Sequence, residues 1–310
     1  MIKKDIEPIL IADNDFVKVV KTKKHVDVRF TERHNFEVSN NGDFVKPQQE
    51  NRVVRLDKDT YLDQASGEIK EYIKKESRSD NESTFFRTKR ELDWLIRNSF
   101  EGNTNEMLIT LTFSEKVLDI KEANKEFNNF KRRMSRILKD KTTFEYILIR
   151  EPHLDGSWHM HMLFKYELID IDSNLLTSHG EWKKAFSTAW AKGIIDLQPI
   201  TDPAGLSHYL SSHLMDIKLD KNGEEIESFT EGLTAKQVAK NQRLKLYPHN
   251  MNIYSSSKGI KKPMQVYMKY GECRELFNDE YVKNYDNSFK LFNDDFALTQ
   301  RQIQLTKKDA

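Results

Sequence analysis

Cysteine is almost missing from this chain: Cys273 stands alone, which excludes an internal disulfide and a cysteine-ligated zinc cluster. No apolar run approaches the length of a membrane span, and Met1-Ile-Lys-Lys-Asp-Ile-Glu lacks the hydrophobic stretch of a signal peptide. A soluble protein of the cytoplasm, with no membrane partner, is therefore expected. There is no Gly-x-x-x-x-Gly-Lys-Ser/Thr loop, so nucleotide-driven helicase chemistry is not expected in this chain. Net charge is short too, at +1, and by itself says nothing about nucleic acid. What is present is length: 310 residues, 37% of them hydrophobic, enough for one main domain with appendages.

The charge is unevenly spread. Lys131, Arg132, Arg133, Arg136, Lys139 and Lys141 crowd one segment. Lys236, Lys240, Arg243, Lys245, Lys258, Lys261, Lys262 and Lys269 fill another with no acid between them. Such clusters suit a phosphate backbone, and Lys131, Arg132, Arg133, Arg136, Arg243, Lys258, Lys261 and Lys262 are the candidate DNA-binding residues.

Residues 1–80 read as an appendage of opaque role, with short strands and a turn between Arg52 and Tyr72. Leu92, Leu95 and Ile96 fall at helical spacing among basic residues, predicting a basic amphipathic helix over 84–99 that either lies on DNA or presents a solvated face. Glu106 to Phe113 alternates as a strand, with Ile109, Leu111 and Phe113 on one side and Leu108, Thr110 and Thr112 on the other. Phe127, Phe130, Met134, Ile137 and Leu138 make the buried stripe of a following helix, and Trp182, Phe186 and Trp190 that of another. A strand is expected over Ile194 to Ile200. Asp202 and Pro203 then cap a helix whose stripe is Leu206, Leu210, Leu214 and Ile217, with Tyr209 at the stripe's edge. Residues 216–232 form an acidic excursion, read as a loop or hairpin, and 271–310 an acidic, helix-prone tail.

The chemistry concentrates between Tyr146 and Tyr166, which reads as a β-hairpin with His-hydrophobic-His on its second strand. His159 and His161 share one face while Trp158, Met160, Met162 and Phe164 take the other. Glu151, on the first strand, is the natural third ligand, and two imidazoles with one carboxylate suit Mn²⁺ or Mg²⁺. The register decides whether they meet. A two-residue turn at Asp155-Gly156 would set Glu151 opposite Met160, whereas an odd-numbered loop or a bulge at Gly156 sets it opposite a histidine, and the latter is expected. His153 is placed in the loop. The alternative is two polar side chains on a solvated face.

The strand Ile109 to Phe113, the set Glu151, His159 and His161, and the run Trp190…Gly193-Ile-Ile-Asp…Asp202-Pro-Ala-Gly…Tyr209 come in an order that resembles the replication-initiator branch of the HUH endonucleases. These proteins nick single-stranded DNA for rolling-circle plasmids, phages and mobile elements. The similarity spans about residues 84–270 and includes Arg243 to Tyr247 and Ser257 to Pro263. It implies an α+β fold, a central antiparallel β-sheet flanked by helices, within an endonuclease domain over 81–270. Glu151, His159 and His161 would hold a divalent metal and Tyr209 would be the nucleophile, joined to a 5′ phosphate. The partners implied are single-stranded DNA at a replication origin and a separate helicase. Many relatives carry lysine three residues after the tyrosine. Here that position is Ser212, and His213 is the substitute catalytic candidate. A conjugative relaxase or single-tyrosine transposase would share the chemistry. A non-catalytic DNA-binding protein of the same fold, and more remotely a zinc hydrolase, are the alternatives from other classes.

Overall fold

The computed structural model describes residues 3–5, 9–32, 37–38, 44–45, 53–64, 66–72, 82–139, 142–168, 178–219, 237–239, 242–293 and 296–308. Two compact units divide the chain: residues 1–74 with 264–310, and residues 75–263.

The first unit begins with β1 (Lys3–Asp5), β2 (Phe16–Lys21), β3 (His25–Glu32), the short pair β4 (Glu37–Val38) and β5 (Phe44–Val45), and the meander β6 (Val53–Arg55), β7 (Thr60–Asp63) and β8 (Glu68–Glu71). The meander agrees with the strands and turn expected between Arg52 and Tyr72. The second unit runs α1 (Glu82–Ser99), β9 (Glu106–Phe113), α2 (Ile120–Ile137), β10 (Thr142–Pro152), β11 (Trp158–Leu168), α3 (His179–Trp190), β12 (Gly193–Pro199), α4 (Pro203–His213), β13 (Ile217–Leu219), β14 (Gln237–Ala239) and β15 (Tyr254–Ser256). The chain then completes the first unit with β16 (Met264–Lys269), α5 (Tyr270–Phe277), β17 (Tyr281–Asn293) and β18 (Phe296–Lys307).

In the second unit a five-stranded antiparallel sheet, ordered β12-β9-β11-β10-β15, carries helices, which is the α+β class expected. One face is aromatic. Phe164 of β11 meets Phe186 and Trp182 of α3, and Phe127 of α2 meets Tyr146 of β10. α2, α3 and α4 each start where a side chain takes over unpaired amides. Asp119 accepts from Lys121 N, Ser178 and Glu181 form a capping box, and Asp202 accepts from Ala204 N and Gly205 N ahead of Pro203. Gly193 is required at the start of β12, since its φ is +157° and a Cβ there would stand 2.2 Å from Thr112 O. α4 is fastened to α1 by Ser207 Oγ, which donates to Asp93 at 2.6 Å.

Two expectations are corrected. The tail is a long β-hairpin: β17 pairs with β18, and β18 with β3, so the two chain ends build one six-stranded sheet, ordered β1-β17-β18-β3-β2-β16, with only α5 helical. Ile217 is buried but belongs to β13, because α4 ends at His213 with Leu214 as its cap. The acidic excursion lies largely outside the described residues; at its base β13 pairs with β14. Among the described residues no helix is long and apolar enough to cross a membrane.

Candidate metal centre

The five residues 153–157 link Pro152 to its partner Trp158, so the loop is odd-numbered and Glu151 pairs with His159, Ile149 with His161. Gly156, at φ +81°, makes the left-handed turn that closes it, and Gly156 N donates to His153 O at 2.9 Å. Paired residues share a face, so Glu151, His159 and His161 lie together, opposite the aromatic side. Trp158, Met160, Met162 and Phe164 are buried on that aromatic side, as the alternation predicts.

The three candidate ligands converge. Glu151 Oε2 lies 2.8 Å from His161 Nε2 and 3.3 Å from His159 Nε2, and the two Nε2 atoms are 2.9 Å apart. None faces open solvent: Glu151 and His161 are each 1% exposed and His159 4%. The outer nitrogens are engaged as well. His161 Nδ1 meets Thr110 Oγ1 at 3.1 Å, and His159 Nδ1 contacts His153 Nε2. Holding each Nδ1 this way turns each Nε2 toward the shared centre, which is how imidazole ligands are oriented. His153 thus sits in the loop as expected, but as support for His159.

Burial pulls the imidazolium of His159 down to about 4, with His161 and His153 adding to the effect against the opposing pull of Glu151. Burial alone would raise the Glu151 carboxyl. The charges of His159 and Arg243 and the hydrogen bonds from both histidines outweigh it and hold the carboxyl well below the usual range. A carboxylate at Glu151 beside a neutral imidazole at His159 suits a metal ligand set.

Arg243 is not a surface phosphate contact. It is 1% exposed; its Nη1 lies 3.1 Å from Glu151 Oε1 and donates to Pro152 O at 2.6 Å. Its backbone N donates to Met215 O, and its guanidinium reaches Asp216 O, tying the end of α4 to the ligand face of the sheet. Arg133 is likewise committed, donating to Ala189 O and Trp190 O at the end of α3. Arg132, Arg136, Lys258, Lys261 and Lys262 are exposed and Lys131 is half-buried.

On α4, Tyr209 is half-buried at the edge of the core, its ring 4.2 Å from that of the buried His213. Ser212 Oγ donates to His208 O within the helix. The other tyrosines near the basic segment differ: Tyr247 is buried and donates its hydroxyl to Arg150 O, while Tyr254 lies opposite Ile149 with its phenol pushed up by burial. Thr110 and Arg243 are the supporting residues the sequence did not single out as such. For Thr110 a signal existed, its place on the polar side of β9.

The family model described as replication-associated protein ORF2 matches residues 106–215, from the start of β9 to just past α4. The matched segment contains Glu151, His159, His161, Tyr209 and His213. No curated protein and no solved structure matches the chain. Residues 106–215 are thus similar to a replication-associated protein family, in keeping with the chain's resemblance to the HUH initiators.

Proposed function

We propose that this protein initiates rolling-circle replication by nicking and rejoining one DNA strand at an origin, with Tyr209 as nucleophile and Glu151, His159 and His161 holding Mn²⁺ or Mg²⁺. The observation that carries the reading is the buried convergence of two imidazole nitrogens and one carboxylate oxygen within a replication-associated segment. This donor set lacks thiolate, and its mixed nitrogen and oxygen character admits Mn²⁺ or Mg²⁺. Donors about 2.1 Å from one octahedral cation stand about 3 Å apart. The separations here, 2.8, 2.9 and 3.3 Å, are of that size.

When bound, the cation supplies positive charge that polarises a phosphate oxygen of the diester. The chain's own groups do the rest. Tyr209 Oη forms a bond to phosphorus as the P–O3′ bond breaks, leaving a free 3′ hydroxyl and DNA joined through its 5′ phosphate to the tyrosine. To His213, whose ring packs 4.2 Å from that of Tyr209, we assign the acceptance of the phenolic proton and its return to the leaving 3′ oxygen. Return attack by a 3′ hydroxyl reverses the exchange and reseals the strand. No nucleotide is consumed, so duplex opening falls to supercoiling or a separate helicase, and the setting we assign is the bacterial cytoplasm.

The test is a denaturing gel of the protein incubated with single-stranded origin oligonucleotides and Mn²⁺. A slower-migrating adduct is expected from the wild type, with DNA mapped to Tyr209, and none from Tyr209→Phe despite retained DNA binding. DNA recovered on Tyr254 or Tyr247 would remove the nucleophile assignment. Absence of any adduct from folded, metal-loaded protein would favour the non-catalytic DNA-binding alternative.

A further inference from the structure

A groove of about 870 Å³ opens between the second half of α2 and the edge of the sheet where β10 begins. It unites two basic segments far apart in sequence: Lys131, Arg132 and Arg136 on α2, and Lys258 just past β15. Its floor includes Phe144 and Tyr146, both half-buried, and Lys131 Nζ lies 5.9 Å from the centre of the Tyr146 ring. The groove's one acid is committed: Glu145 accepts from Ser257 Oγ and, at 3.0 Å, from Gly259 N. Tyr146 packs on Phe127 of α2 and so belongs to the aromatic face, the reverse of the face that carries Glu151. Along β10 the two positions are five residues apart, about 17 Å.

We propose that this groove is a second binding site, one that holds single-stranded nucleic acid with little regard to sequence. The four cations would neutralise phosphates while unpaired bases stack on Tyr146 and Phe144, the combination found where single strands bind without base readout. The aromatic floor favours a single strand over a duplex, whose base faces are already stacked. Hydroxyls of Ser135, Thr143 and Ser256 on the walls suit phosphate oxygens, which favours nucleic acid over an acidic peptide. The choice of DNA rests on the proposed nicking role: a strand running round the β15 edge would be gripped on the reverse face while its scissile phosphate lies at the metal centre.

Binding of the full chain to a fluorescent oligothymidylate is measured in chelator, with no origin sequence and no metal. The variant Arg132→Ala/Arg136→Ala/Lys258→Ala changes only exposed side chains. It is expected to bind at least tenfold more weakly, with the slope of log affinity against log salt smaller by roughly 2. Tyr146→Leu, which keeps an apolar contact on Phe127, is expected to lose at least about fivefold. Unchanged affinity and slope in the triple variant would overturn the proposal. So would equal competition by duplex DNA, or variant-sensitive binding of polyglutamate in place of oligothymidylate. Loss of the groove with adduct formation intact leaves the nicking role standing; groove binding without any adduct keeps the groove and removes that role.

Discussion

Arg243 stands between Glu151 and the end of α4, and its planar fork explains why an arginine is suited there. One nitrogen faces Glu151 Oε1 and Pro152 O while the group also reaches Asp216 O, which leaves Glu151 Oε2 directed at the two histidines. Arg243→Met would leave that carboxylate buried without its main cation. Breaking one side of such a pair costs about 3–5 kcal/mol, and urea unfolding of the metal-free protein should show a loss of that size. A loss no larger than that of an ordinary surface substitution would mean the pair is not formed in solution. At this scale the convergence of Glu151, His159 and His161 was legible, because strand alternation fixes which residues share a face and the odd loop sets their register. Arg243 was misplaced because a basic residue in an acid-poor run reads as a phosphate contact, and only burial reveals that its charge is turned inward.

Elements with a local signature were recovered from sequence: β9, the metal hairpin, and α4 with its Asp202-Pro203 start all carry a period or a cap within a few residues. The β17–β18 hairpin carried no such mark. Gln, Arg, Leu and Lys in 300–307 are good helix formers, and what overrides them is pairing of β18 with β3, nearly the whole chain away. Across this hairpin Arg301 donates to both oxygens of Asp286 at 2.8 Å. The Arg301 hydrogen bond, helped by Lys283 against the cost of burial, brings the Asp286 carboxyl down to about 2. A carboxyl depressed on folding contributes stability above its unfolded value, near 4, and loses it as pH falls through the folded one. Asp286→Asn should therefore melt earlier than wild type at pH 7, with the gap closing as pH falls from about 4 to about 2. A gap independent of pH would show that the effect is one of packing and not of charge.

At the scale of the molecule the described residues form two cores. One, in residues 75–263, gathers the sheet's aromatic side with α2 and α3; the other joins Val17, Val19, Val26, Val28 and Ile303 to Cys273 and Phe277 of α5. Each unit thus has its own reporter. Cys273 is the only thiol, is buried, and burial pushes it up to about 11, so at pH 8 it carries little thiolate and should alkylate slowly until the first unit opens. The candidate metal centre lies wholly in the second unit. A ligand that binds only the folded form stabilises it by about 2.7 kcal/mol at one hundred times its dissociation constant. Saturating Mn²⁺ should therefore raise the unfolding temperature of the second unit, followed by tryptophan fluorescence, since all four tryptophans fall within residues 75–263. The rate of Cys273 alkylation near that temperature should stay the same with and without metal if each core unfolds on its own account. Protection of Cys273 by Mn²⁺ would show that the two units unfold as one cooperative body, in which case substitutions in the terminal sheet would be felt as weaker metal binding.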